Sequence, residues 1–141
     1  MSHRALIAAL LTFVATGCSQ QDKKPRLPEQ AVVGSWASDT LSSPDGTTRV
    51  YRLRMDARGM AEFVSSIAGR PTLTERGTWD GADSLVRVVV RGEGTASRPT
   101  SLLLAMRGKA VLGLVRYDSA TWGADGFRLR RQRENAAADL R

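Results

Sequence analysis

The stretch Arg49-Val50-Tyr51-Arg52-Leu53-Arg54-Met55 decides the fold. Tyr51, Leu53 and Met55 recur at every second position, with Arg52 and Arg54 between them. That period belongs to a β-strand with one apolar and one wet face; an amphipathic helix repeats its apolar positions every three or four residues. The same alternation returns along the chain. Ala61 and Phe63 oppose Glu62, and Leu73, Gly77 and Trp79 oppose Thr72, Thr74, Arg76 and Thr78. Val86, Val88 and Val90 oppose Arg87 and Arg91.

Outward from these, eight alternating segments are expected: 32–37, 49–55, 60–67, 72–79, 84–91, 101–107, 110–117 and 126–131. Turn formers separate them, among them Ser42-Ser43-Pro44-Asp45-Gly46, Asp56-Ala57-Arg58-Gly59, Ala68-Gly69-Arg70-Pro71, Asp80-Gly81 and Gly108-Lys109. Short connections make sequential strands pair as an antiparallel meander. Strands with one apolar face lose their exposed edges by closing, so the expected class is all-β: an eight-stranded antiparallel meander barrel, with a two-sheet sandwich as its competitor.

The chain has 141 residues, 42% hydrophobic and 25% charged, which suits one globular domain. It has one cysteine, Cys18, and one histidine, His3. An intrachain disulfide, a cysteine-rich zinc site, a histidine metal cluster and a Ser-His-Asp triad therefore lack the residues they need, and no metal or cofactor is expected.

The N-terminus, MSHRALIAALLTFVATGC, places Arg4 before an apolar run at 5–15. That run has the length of a signal-peptide core and is too short to cross a bilayer about 30 Å thick. Ala15-Thr16-Gly17 then leads into Cys18. The pattern resembles the lipobox of bacterial lipoproteins, with Ala15 where that family prefers leucine. The resemblance implies a signal peptide at 1–17, cleavage between Gly17 and Cys18, and acyl chains such as palmitate on Cys18. Each buried CH₂ of such chains adds about 0.8 kcal/mol of membrane affinity. Ser19 follows the acylated residue, and with no aspartate there the address resembles that of the outer membrane, facing the periplasm. Residues 18–30, polar and carrying Pro25 and Pro28, read as a flexible tether whose extended reach is about 40 Å. The barrel domain is expected over 31–133 and a C-terminal tail over 134–141.

The net charge is +7, mostly from arginine. The basic residues are spread along strands, with the densest run at Arg128-Leu129-Arg130-Arg131-Gln132-Arg133. An exported, anchored chain does not meet nucleic acid, so a solvated basic face is expected, with lipid A phosphates or an acidic partner as its alternatives.

Two stretches carry a further resemblance. Gly34-Ser35-Trp36 resembles the G-x-W of lipocalin-like barrels, in which the tryptophan plugs the closed end under an arginine from the last strand. The resemblance implies Arg128 or Arg130 as that partner through a cation–π contact. Alternation itself points Phe127 and Leu129 inward. Residues 51–53 and 73–80, with Trp122-Gly123 and Gly126-Phe127-Arg128-Leu129, resemble the small barrel of NlpE-type lipoproteins. That family's C-x-x-C is absent; Asp39-Thr40-Leu41-Ser42-Ser43-Pro44-Asp45 occupies its place, so copper and thiol chemistry are not implied.

Trp36, Tyr51, Phe63 and Trp79, with Arg128 and Arg130, are thus the candidates for a barrel plug or cavity lining. Glu62 and Glu75 are the one carboxylate pair worth weighing for catalysis; a cross-strand ion pair with Arg52, Arg76 or Arg87 is the commoner use of such residues. The turn aspartates serve local backbone hydrogen bonds. The expected function is non-enzymatic: a lipid-anchored envelope barrel that binds a small apolar ligand or an envelope protein. Its alternative is an interaction module with a filled core, such as an inhibitor of a cell-wall hydrolase.

Overall fold

A computed structural model describes residues 29–94 and 98–133. The expected signal peptide, Cys18, most of the tether and the tail at 134–141 lie outside the described residues. In chain order the elements are α1 (Glu29–Val32), β1 (Gly34–Ser38), β2 (Leu41–Ser42), β3 (Thr48–Met55), β4 (Met60–Ile67), β5 (Leu73–Ala82), β6 (Leu85–Gly92), β7 (Thr100–Arg107), β8 (Val111–Leu114), α2 (Ser119–Trp122) and β9 (Arg128–Arg131).

Every neighbouring pair is antiparallel, and β1 pairs with both β3 and β9. The sheet therefore closes into an eight-stranded barrel of lipocalin-like type. β2 is a short continuation of β1 past Asp39-Thr40, paired only with β3. Closure removes the free edges a sandwich would keep. Among the described residues, all ladder partners and the buried core lie within 32–131.

The alternating residues point as their period requires. Tyr51, Leu53 and Met55, Ala61 and Phe63, and Val86, Val88 and Val90 are all buried, as are Leu102, Leu104, Leu112, Phe127 and Leu129. Arg52, Arg54, Arg87, Arg91, Arg128 and Arg130 face solvent. Fully burying an aliphatic side chain contributes about 1.5–3 kcal/mol, so this inward set supplies most of the driving force for closure.

Several boundaries differ from the sequence expectation. Val32 is not in a strand; it is buried in the turn of α1, which begins two residues before the expected domain start. Leu73, expected inward, sits at the mouth of β5 and is 52% exposed, while Glu75 takes the inward position. The seventh and eighth segments shorten to Val111–Leu114 and Arg128–Arg131. Asp80-Gly81 is not a turn: both residues continue β5, opposite Arg87 and Val86. The hairpin turns instead at Asp83 and Ser84, with φ of 50° and 69°.

Positive φ at both central residues is the geometry that matches the twist of a two-residue hairpin, and it normally selects glycine at the second position. A side chain at Ser84 is strained there. Replacing Ser84 with Gly is expected to stabilise the domain by about 1 kcal/mol, less the added entropy of the unfolded chain. That corresponds to a rise in thermal midpoint of about 4 °C by calorimetry. An unchanged or lowered midpoint would count against this turn.

Candidate functional site

Strand directions sort the connections into two ends. The end where β1 begins carries α1, the turns at 56–59, 83–84 and 108–110, and the exit of β9. The opposite end carries the loops at 39–47 and 68–72, the end of β6, the start of β7 and the α2 segment.

Trp36 closes the first end. It is 1% exposed, and its Nε1 donates to the Val32 carbonyl at 2.9 Å. A guanidinium lies over its ring with Cζ 4.4 Å from the centroid, and it belongs to Arg131, not to Arg128 or Arg130. The correction follows from parity. Leu129 and Arg131 share the inward face of β9, continuing the direction of Phe127 just before it, whereas Arg128 and Arg130 alternate outward. The Arg131 Nη1 donates to the Val33 carbonyl at 2.8 Å and its Nη2 to the Ala31 carbonyl. One side chain thus joins the cation–π contact to two backbone acceptors of the α1 region. Trp79 packs near the same end, its Nε1 donating to the Asp56 carbonyl at 2.9 Å.

Tyr51 and Phe63 belong to the opposite end, with Trp122 and Phe127. Tyr51 lies 4.7 Å from Phe127, and Trp122 meets Tyr51, Phe63 and Phe127 edge-on at 5.5, 6.1 and 5.3 Å between centroids. Such offset and edge contacts add about 0.5–1.5 kcal/mol each beyond the area they bury. Trp122 arrives from α2, a turn of helix laid across the barrel mouth. Asp118 caps it, Oδ1 accepting from the Ala120 amide at 3.1 Å and Oδ2 from the Thr121 hydroxyl at 2.7 Å. The Trp122 carbonyl accepts a long 3.5 Å hydrogen bond from Arg49 Nη2, while the buried Nε of Arg49 has no partner.

The Thr121 hydroxyl, then the Ala120 amide, hold the Asp118 carboxyl below the usual aspartate range. A lowered folded-state pKa contributes stability above the unfolded value and loses it as pH falls through the folded one. The α2 cap is therefore expected to loosen below a pH of about 4. The Trp122 indole resonance should shift over that interval in the wild type. In Asp118→Asn that transition should be absent; identical titrations of the two proteins would contradict the capping account.

The two carboxylates do not meet. Glu62 points outward and its Oε2 accepts from Arg76 Nε at 2.9 Å, an exposed pair contributing at most about 1 kcal/mol. Glu75 points inward at 6% exposure, accepting from the Thr100 hydroxyl at 2.8 Å. Residues on opposite faces of one sheet share no substrate. Among the described residues no group of three or more His, Cys, Asp or Glu side chains is placed to hold a metal ion. No described helix is long and apolar enough to cross a membrane.

The alternation pattern left three roles unassigned: Arg131 as the partner of Trp36, Trp122 as a member of the aromatic cluster, and Glu75, weighed only as a partner of Glu62, as an inward side chain. Counting by twos from Leu129 and from Trp79 finds the first and last; Trp122 has no local signal, because a four-residue helix in a loop leaves no period. No family model, curated protein or solved structure matches the chain.

Proposed function

We propose that this chain is a non-enzymatic envelope lipoprotein, held at the outer membrane by acyl chains on Cys18, and that its barrel is a filled scaffold working through its outer surface. The observation that carries the reading is the packing along the barrel axis. Trp36 and Arg131 close one end, and Tyr51, Phe63, Phe127 and Trp122 stack across the other. Leu53, Met55, Val88, Leu102, Leu104 and Leu112 between them are buried. Side chains in mutual contact occupy the space that an apolar ligand would need. This favours the interaction module over the ligand carrier. The separation of Glu62 from Glu75 leaves them no shared site for paired acid–base chemistry.

The placement rests on the N-terminal pattern, which resembles the lipobox of bacterial lipoproteins. Mass spectrometry of the protein from native membranes tests it. The expected N-terminal peptide begins at an acylated Cys18, and Cys18→Ala should leave residues 1–17 attached. An unmodified Cys18 in mature protein would overturn the anchoring.

A further inference from the structure

A trough of about 610 Å³ runs along the outside of β1, between β3 and the exit of β9. Its floor exists because β1 points only small side chains outward, Ser35 and Ala37. Register sets the flanks. Ala37 lies opposite Arg52 on β3 and Arg130 on β9. Ser35 lies opposite Arg54, and its carbonyl accepts from the Gln132 amide at 2.8 Å.

Arg52 and Arg54 share the outer face of β3, two residues and therefore about 7 Å apart. Both are exposed, and among the described residues neither guanidinium has a hydrogen bond or ion pair. Glu62 lines the trough opposite Arg54, but its carboxylate is taken by Arg76 at 2.9 Å, and that of Asp39 by Arg130 at 3.5 Å. Because β1 is hydrogen-bonded on both sides, a visiting peptide cannot join it as a strand. Recognition in this trough must run through side chains, and two unpaired guanidiniums in a concave site favour oxyanions, which they bind with two parallel hydrogen bonds.

We propose that this trough binds the phosphate groups of anionic lipid headgroups at the membrane that carries the protein, with Arg52 and Arg54 as the phosphate ligands. The assignment rests on the anchoring proposed above. Among the described residues the chain begins with α1, which leads straight into β1, so the strand that floors the trough is the first strand after the anchor proposed at Cys18. The charge of the trough is complementary to a phospholipid surface. Opposite-sign attraction of this kind strengthens binding about fivefold for each arginine near the surface.

The test uses the chain 19–141, which carries no acyl group, so its outcome is separate from that of the anchoring experiment. Binding is measured to vesicles of equal parts phosphatidylcholine and phosphatidylglycerol, and to phosphatidylcholine alone. The wild type should bind only the anionic vesicles. Arg52→Gln with Arg54→Gln should weaken that binding about tenfold or more. Arg87→Gln with Arg91→Gln, which removes the same charge from the outer face of β6, should cost clearly less. All four positions are exposed, and equal thermal midpoints check that both variants fold. Equal losses in the two variants would reduce the effect to net charge and overturn the site, as would failure of the wild type to bind. A polyglutamate peptide that binds more tightly than the vesicles, through the same two arginines, would overturn the headgroup in favour of an acidic protein.

Discussion

Trp36→Ala is expected to lower stability by about 3–5 kcal/mol, a large part of the 5–15 kcal/mol typical of a domain. The change removes a side chain that is 1% exposed, its hydrogen bond to the Val32 carbonyl, and the surface under the Arg131 guanidinium. It also leaves a buried carbonyl without a donor. The arginines give the finer reading. Arg131→Lys keeps the charge but loses the planar face and the fork that reaches the Val33 and Ala31 carbonyls. It should cost about 1–3 kcal/mol. Arg128→Gln and Arg130→Gln, both on the outer face, should each stay within about 0.5 kcal/mol of the wild type. Urea unfolding of the four variants measures the order. If Arg130→Gln proved more costly than Arg131→Lys, the inward assignment of β9 would be wrong.

Gly77→Ala is the second large effect. A methyl group there would stand 2.0 Å from the Val89 carbonyl oxygen and 2.9 Å from the Val90 Cα, both backbone atoms that no rotamer change can move aside. Gly77 pairs with Val90 in the long β5–β6 ladder, so relief requires that hairpin to part near its middle. Overpacking of this kind costs about 1–3 kcal/mol against side chains that yield. Against fixed backbone the upper end or beyond is expected, read as a fall of about 10 °C or more in thermal midpoint. A midpoint within a few degrees of the wild type would show that the two strands are farther apart than the register requires.

Much of the barrel is legible in the sequence, for a plain physical reason. A sheet with one buried face imposes a period of two, and slipping any strand by one residue would turn its whole apolar set to water. Val86, Val88 and Val90 against Arg87 and Arg91 leave no alternative placement. What escaped the period depended on contacts distant in sequence. Asp80-Gly81 has the local preference of a turn, yet pairing Gly81 with Val86 and Ala82 with Leu85 carries β5 onward and moves the turn to Asp83-Ser84. Val32 has the character of a strand residue, yet the needs of Trp36 and Arg131 for carbonyl acceptors hold it in a helical turn. The plug itself was half legible. Trp36 is marked by Gly34-Ser35-Trp36, while its partner is settled only by the parity of β9. Trp122 reaches the aromatic cluster through a loop, and nothing local announces a residue that acts as a lid.

The trough was not legible at all. Ser35 and Ala37 are ordinary small residues in sequence, and Arg52 and Arg54 are two arginines among many. Only the closure of β1 between β3 and β9 sets small side chains in a row with guanidiniums beside them.

The central claim is that the barrel is filled and does its binding on the outside. Native mass spectrometry of the chain 19–141, purified from cells without detergent exchange, tests that claim most directly. The account predicts the mass of the polypeptide alone, unchanged when a long-chain fatty acid is added. A stoichiometric apolar adduct, displaced by that fatty acid and lost in Trp122→Ala, would show an interior that opens to a ligand and would contradict it.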